Sequence, residues 1–108
     1  MNPRLAPVTP EEYVEAVLAL VERIPSGRVM SYGAIADYLS DRSGRSSARL
    51  VGTIMARYGG PVPWHRVVNN AGRVVPGHEL EAMARLIGEA TPMRNGRVDM
   101  KQAAWMPD

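Results

Sequence analysis

Two helix-breaking clusters, Pro25-Ser26-Gly27 and Gly59-Gly60-Pro61, constrain the fold most, because the apolar periodicity between and before them has room only for short helices. Thr9-Pro10-Glu11-Glu12 signals the first: Thr9 as the N-cap, Pro10 at the first helical position and Glu12 placed for a capping box. Val14, Val17, Leu18 and Val21 then recur on one face, which predicts a helix to about Arg23. Ser31 caps a second helix, Tyr32 to Leu39, with Ile35, Ala36 and Leu39 facing inward. A turn over Asp41–Gly44 leads to Ser46 and Ser47, caps for a third helix from Ala48 to about Tyr58. Two short helices joined by a polar turn read as a helix-turn-helix. Val62–Val68 reads as extended or irregular, Asn69-Asn70-Ala71-Gly72 as a turn and Arg73–Val75 as a short strand. A fourth helix is expected from Glu79 to about Glu89, carrying Leu80, Met83, Leu86 and Ile87. The tail from Arg94 reads as irregular, with Trp105 packed back on the body because an exposed indole is costly in water. The expected fold class is mainly α: one winged-helix or helix-turn-helix-like domain over residues 1–108, with four main helices and little strand.

A chain of 108 residues holds a modest core without metal or disulfide help. It contains no cysteine, which excludes a disulfide framework, a cysteine-ligated zinc site and thiol catalysis together. No apolar run approaches a membrane span, and Met1–Pro7 lacks the apolar core of a signal peptide. The expectation is a soluble cytoplasmic protein with no metal, cofactor or membrane partner; no apolar dimer stripe stands out, so a monomer is expected. The net charge of +2 is unevenly spread. Glu11, Glu12, Glu15 and Glu22 crowd the first helix, whereas residues 42–78 carry six arginines and no Asp or Glu. Such a stretch makes a local positive field suited to phosphates, with an ordinary solvated surface as the alternative.

Four short motifs follow in series: Ile24-Pro25-Ser26-Gly27-Arg28-Val29, Ser31-Tyr32-Gly33, Ala48-Arg49-Leu50-Val51-Gly52 and Pro63-Trp64-His65-Arg66-Val67-Val68. Together they resemble the DNA-binding domain of the O6-alkylguanine-DNA alkyltransferases, and the resemblance runs from about Glu12 to Pro107. In that family a Pro-Cys-His-Arg core supplies the thiolate that takes an alkyl group off guanine. Here Trp64 stands in the cysteine's place, and indole offers only a weak N–H donor. The pattern therefore resembles the alkyltransferase-like proteins, which keep the lesion reader without the transfer chemistry.

The resemblance implies a role for each anchor. Arg49 is the finger that fills the gap left by a rotated nucleotide, a task suited to a long guanidinium that stacks and donates hydrogen bonds. Ala48 and Gly52, four apart, let the third helix approach a minor groove closely. Tyr32 presses on the phosphate 3′ of the target nucleotide. Trp64 lines the pocket for the flipped base beside Met55 and Val67, with Asn70 or Arg73 standing in for the basic residue that some relatives place in the following loop. His65 and Arg66 are structural remnants of the catalytic motif, Arg66 bracing the loop and Glu89 or a neighbour supplying a carboxylate. The implied partners are double-stranded DNA containing O6-alkylguanine and nucleotide excision repair proteins; the implied function is a non-enzymatic sensor.

Two other readings stay open on the residues alone. A winged-helix regulator without lesion specificity would read base edges with Arg49, Thr53 and Arg57. A residual hydrolase would use His65 and a water, without an evident nucleophile or metal ligands.

Overall fold

A computed structural model describes residues 9–40 and 47–107. The first helix, α1 (Pro10–Arg23), starts as its sequence dictates: the Thr9 hydroxyl accepts the Glu12 N–H and the Glu12 carboxylate accepts the Thr9 N–H, each at 3.1 Å. It buries Tyr13, Val17, Leu20 and Val21, with Val14 and Leu18 half-buried beside them. After the Pro25–Gly27 break comes a two-residue strand, β1 (Met30–Ser31), which passes directly into α2 (Tyr32–Tyr38). Ser31 serves both elements, pairing in the strand and capping the helix by accepting the Ala34 N–H at 3.0 Å. Helix α3 (Ala48–Tyr58) begins with the Ser47 hydroxyl accepting the Leu50 N–H and buries Val51, Ile54 and Met55 against α1 and α2. The expected Asp41–Gly44 turn and the Ser46 cap lie outside the described residues, as do Arg42 and Arg45.

The segment after α3 is more regular than its sequence suggests. Trp64–Arg66 form one 3₁₀ turn, and Val67–Val68 form β2, which pairs in parallel with β1 in the register Met30 with Val67 and Ser31 with Val68. This ladder is the seam of the molecule. Met30 and Val67 belong to the larger core under α1, α2 and α3, whereas Val29 and Val68 belong to a smaller core with Leu86, Val98 and Ala103. Alternate residues of a strand point to opposite faces, so two residues per strand suffice to join two cores.

Helix α4 (Glu79–Gly88) packs on the 3₁₀ turn and buries Ala82 and Leu86, the latter in the smaller core, and Met83 is half-buried. Leu80 and Ile87, at 91% and 60% exposure, lie seven residues apart on the opposite face and take no part in the core. The expected strand at Arg73–Val75 does not form: two backbone hydrogen bonds, Asn69 N–H to the Arg73 carbonyl and Gly72 N–H to the Asn69 carbonyl, close the turn, and Asn69 Oδ1 takes the N–H groups of Ala71 and Arg73.

The tail is ordered, against the irregular segment expected from Arg94. Strands β3 (Met93–Arg94) and β4 (Arg97–Val98) form a hairpin, and α5 (Met100–Ala103) follows. Asn95 and Gly96 adopt φ of 54° and 79°, as a type I′ hairpin turn requires. The hairpin docks by a Val98 N–H to Gly72 carbonyl bond of 3.0 Å; a Cβ on Gly72 would fall 2.2 Å from the Val98 oxygen. Trp105 does pack back: its backbone N–H donates to the Val29 carbonyl at 2.8 Å and its ring centroid lies 5.9 Å from the Arg23 guanidinium carbon. The described residues make a mostly helical domain of five helices with small two-stranded sheets.

Candidate nucleic-acid interface

Trp64 opens the 3₁₀ turn, where its backbone N–H bonds the Val62 carbonyl at 2.6 Å and the Arg66 backbone N–H returns to the Pro63 carbonyl. This tight turn fixes the indole half-buried between α3 and α4. The Arg85 guanidinium carbon sits 5.3 Å from its ring centroid, and the His78 ring approaches at 5.9 Å in an edge arrangement. Beside the indole lies a cavity of about 430 Å³, bounded by Tyr32, Gly52, Met55, Gly59, Val75 and His78 among others. That volume falls in the range of pockets that enclose small ligands.

Below Trp64 the side chains are locked. Glu89 accepts Arg66 Nε and Nη2 at 3.0 and 2.7 Å and His65 Nε2 at 2.9 Å, while Arg66 Nη1 reaches the Ile24 carbonyl at 2.8 Å. The Arg66 guanidinium foremost, helped by His65, holds the Glu89 carboxyl at about 2 against the opposing effect of partial burial. An ionised carboxylate only accepts, so His65 Nε2 carries the proton toward Glu89. His65 Nδ1 is buried and makes no hydrogen bond among the described residues. An imidazole backed by a carboxylate is the arrangement that activates a nucleophile, yet its neighbour is indole and the chain has no thiol. What the network does is brace the turn that carries Trp64, tying it to α4 and to the end of α1.

The start of α3 forms a second, shallower concavity of about 300 Å³ with Tyr32, Gly33, Ala48, Arg49, Gly52 and the Asn69–Asn70 turn. Ala48 and Arg49 are exposed, and Arg49 makes no ion pair among the described residues. A Cβ added to Gly52 would meet nothing within 4 Å, so internal packing does not demand glycine there. Thr53 turns its hydroxyl back to the Arg49 carbonyl at 3.2 Å, which takes one base-edge reader away from the regulator reading. Tyr32 stands between the two concavities, half-buried, and that burial raises its phenol pKa.

Of the residues that the resemblance assigns to the base pocket, Met55 and Trp64 line the cavity beside the indole, and Val67 and Asn70 do not. Val67 is 1% exposed because core lies on both faces of the β1–β2 ladder. Asn70 projects instead into the concavity of α3 with Tyr32, Ala48, Arg49 and Gly52. The cavity also takes in Gly59 and Glu81, to which sequence reasoning gave no role, and Val75, Pro76 and His78 from the loop after Arg73. His78 looks isolated in the sequence; α4 begins right after it, and that helix's packing on the Trp64 turn brings it to the indole. Among the described residues no group of three or more His, Cys, Asp or Glu side chains converges on a metal position, and no helix is long and apolar enough to cross a membrane.

Known proteins resemble this chain in sequence and fold. The family model for the DNA-binding domain of 6-O-methylguanine DNA methyltransferase matches residues 12–90. A DNA base-flipping protein of Escherichia coli K12 is 30% identical over 100 residues, covering 88% of this chain and 75% of that protein. Alkyltransferase-like protein 1 of Schizosaccharomyces pombe is 39% identical over 66 residues, 59% of this chain and 58% of its own. The crystal structure of S. pombe Atl1 in complex with damaged DNA containing O6-carboxymethylguanine superposes with a TM-score of 0.77 at 29% identity, over 93% of this chain and all of that one.

Proposed function

The chain belongs to the family of the 6-O-methylguanine DNA methyltransferase DNA-binding domain, and from that premise we propose that it is a non-enzymatic sensor of O6-alkylguanine in duplex DNA. The observation that carries this reading is the junction at Tyr32 and Gly52, where the cavity beside Trp64 meets the exposed start of α3. A helix that opens with Ala48 and carries an unobstructed Gly52 can seat its backbone deep in a minor groove, and Arg49 then projects into the base stack. The displaced base passes Tyr32 and comes to rest against Trp64 and Met55.

The energetics favour a lesion over normal guanine. Extruding a base costs a few kcal/mol, less for a weakened pair, and apolar or aromatic contact returns roughly 1–3 kcal/mol. These terms nearly cancel for guanine. Burial of an alkyl substituent adds about 0.8 kcal/mol per methylene, so the modified base stays in the pocket. It leaves unaltered, because the residue in the nucleophile's place is Trp64 and the chain has no thiol. The bent, held complex is the signal that draws in nucleotide excision repair proteins.

The experiment is a titration at fixed salt with two duplexes that differ only in one O6-methylguanine, followed by mass analysis of the DNA. Tighter binding to the modified duplex with its methyl group retained supports the sensor. Equal affinity, or loss of the methyl group, overturns it.

A further inference from the structure

A third concavity, of about 520 Å³, opens on the other side of Tyr32 beneath the turn of the β3–β4 hairpin. Asn69, Arg73, Asn95 and Arg97 border it, and Glu79 is the one acidic side chain in its wall. The Glu79 carboxylate is already engaged by the Gly77 N–H at 3.0 Å. Neither Arg73 nor Arg97 makes an ion pair among the described residues. Moreover, the hairpin sets Arg94 directly opposite Arg97 at its two-residue turn. Like charges in that position destabilise a hairpin unless an anion relieves them.

The three concavities are contiguous. All contain Tyr32; the hairpin cavity shares Pro76 with the Trp64 cavity and Asn69 with the α3 concavity. A nucleotide whose base enters beside Trp64 therefore continues, through its sugar and phosphate, over Tyr32 toward guanidinium groups. We propose that the hairpin cavity is a phosphodiester site, in which Arg73 and Arg97 hold the DNA strand just beyond the flipped nucleotide. The ligand's identity as DNA rests on the sensor reading; the site itself rests on the cavity and its uncompensated arginines. Contacts of this kind position the strand and carry no sequence information.

The test compares the intact protein with Arg73→Gln and Arg97→Gln, and with Lys101→Gln as a control for general loss of charge, on the O6-methylguanine and guanine duplexes across a salt series. Losing one phosphate contact should lower the log–log salt slope by about 0.9 and weaken binding roughly fivefold to tenfold at 0.1 M salt. Both duplexes should weaken by the same factor, so the preference for the lesion persists, and Lys101→Gln should leave the slope in place. Thermal melting confirms that each variant is folded. An unchanged slope in both arginine variants, or an equal drop in the Lys101 control, overturns the site while leaving the sensor reading standing. Equal wild-type affinity for the two duplexes, with a slope that still drops in the arginine variants, overturns the sensor reading and leaves the phosphodiester site standing.

Discussion

In the proposed sensor Arg49 and Trp64 divide the work of reading a lesion, and their surroundings predict different failures. Arg49 is exposed and makes no ion pair among the described residues, so Arg49→Ala should leave the melting temperature within the narrow range of surface substitutions. Lesion-selective binding should nevertheless vanish, because no other long side chain on the first turn of α3 can fill a vacated base position. A variant that binds the modified duplex as selectively as the parent would refute the finger role. Trp64 is half-buried against the core and touches Arg85 and His78, so its truncation has a structural cost as well. Trp64→Ala should lower affinity for the O6-methylguanine duplex by the stacking term, roughly 1–3 kcal/mol, and affect the guanine duplex far less. A uniform loss on both duplexes, read by the same titration, would assign Trp64 to the scaffold alone.

Helix α3 and the 3₁₀ turn are the two elements that make the site, and each offers a test in which stability and binding separate. Gly52 costs helix stability and meets no neighbour, so Gly52→Ala should stabilise the fold by about 0.5–1 kcal/mol in denaturant unfolding. The same methyl group should weaken DNA binding if the helix backbone seats in a groove; unchanged affinity would show that close approach is not used. The turn depends on Glu89. Its folded pKa of about 2 lies below the ordinary carboxylate value, so its ionisation favours the folded state above that ordinary value. That support is lost as pH falls from about 4 through 2, and Glu89→Gln should flatten this acid limb of a melting-temperature profile while costing roughly 2–3 kcal/mol at neutral pH. An acid limb that persists unchanged in Glu89→Gln would place the titration elsewhere. Legibility in the sequence followed locality. The capping box of α1 and the Ser31 and Ser47 caps each reside within four residues, and all are visible as strings. The β1–β2 ladder joins two dipeptides far apart in the chain and has no period to detect, which is why Val67 reads as a pocket residue and is a core residue. Asn95-Gly96 is different: it is a strong local hairpin signal, hidden only because its flanking strands are two residues long.

For the whole molecule, the arrangement that matters is the meeting of three concavities at Tyr32, which no string of residues announces because the lining comes from α2, α3, α4, two loops and the hairpin. Charge follows the same geography. The acidic residues Glu11, Glu12, Glu15 and Glu22 belong to α1, while Arg49, Arg73 and Arg97 border the concavities that adjoin Tyr32. In the proposed complex, backbone attraction and lesion recognition are thus carried by different groups, guanidinium on phosphate for one and indole and methionine on a base for the other. Only the first releases counterions. With about five phosphate contacts the log–log slope should be near −4.5, so raising salt from 50 to 200 mM should weaken binding roughly 500-fold on either duplex. The ratio of affinities for the O6-methylguanine and guanine duplexes should stay constant over that range, since apolar burial is insensitive to such salt. A ratio that collapses with salt would mean that the lesion is recognised by charge, which would shift the discriminating contact from Trp64 to the Arg85 guanidinium beside its ring.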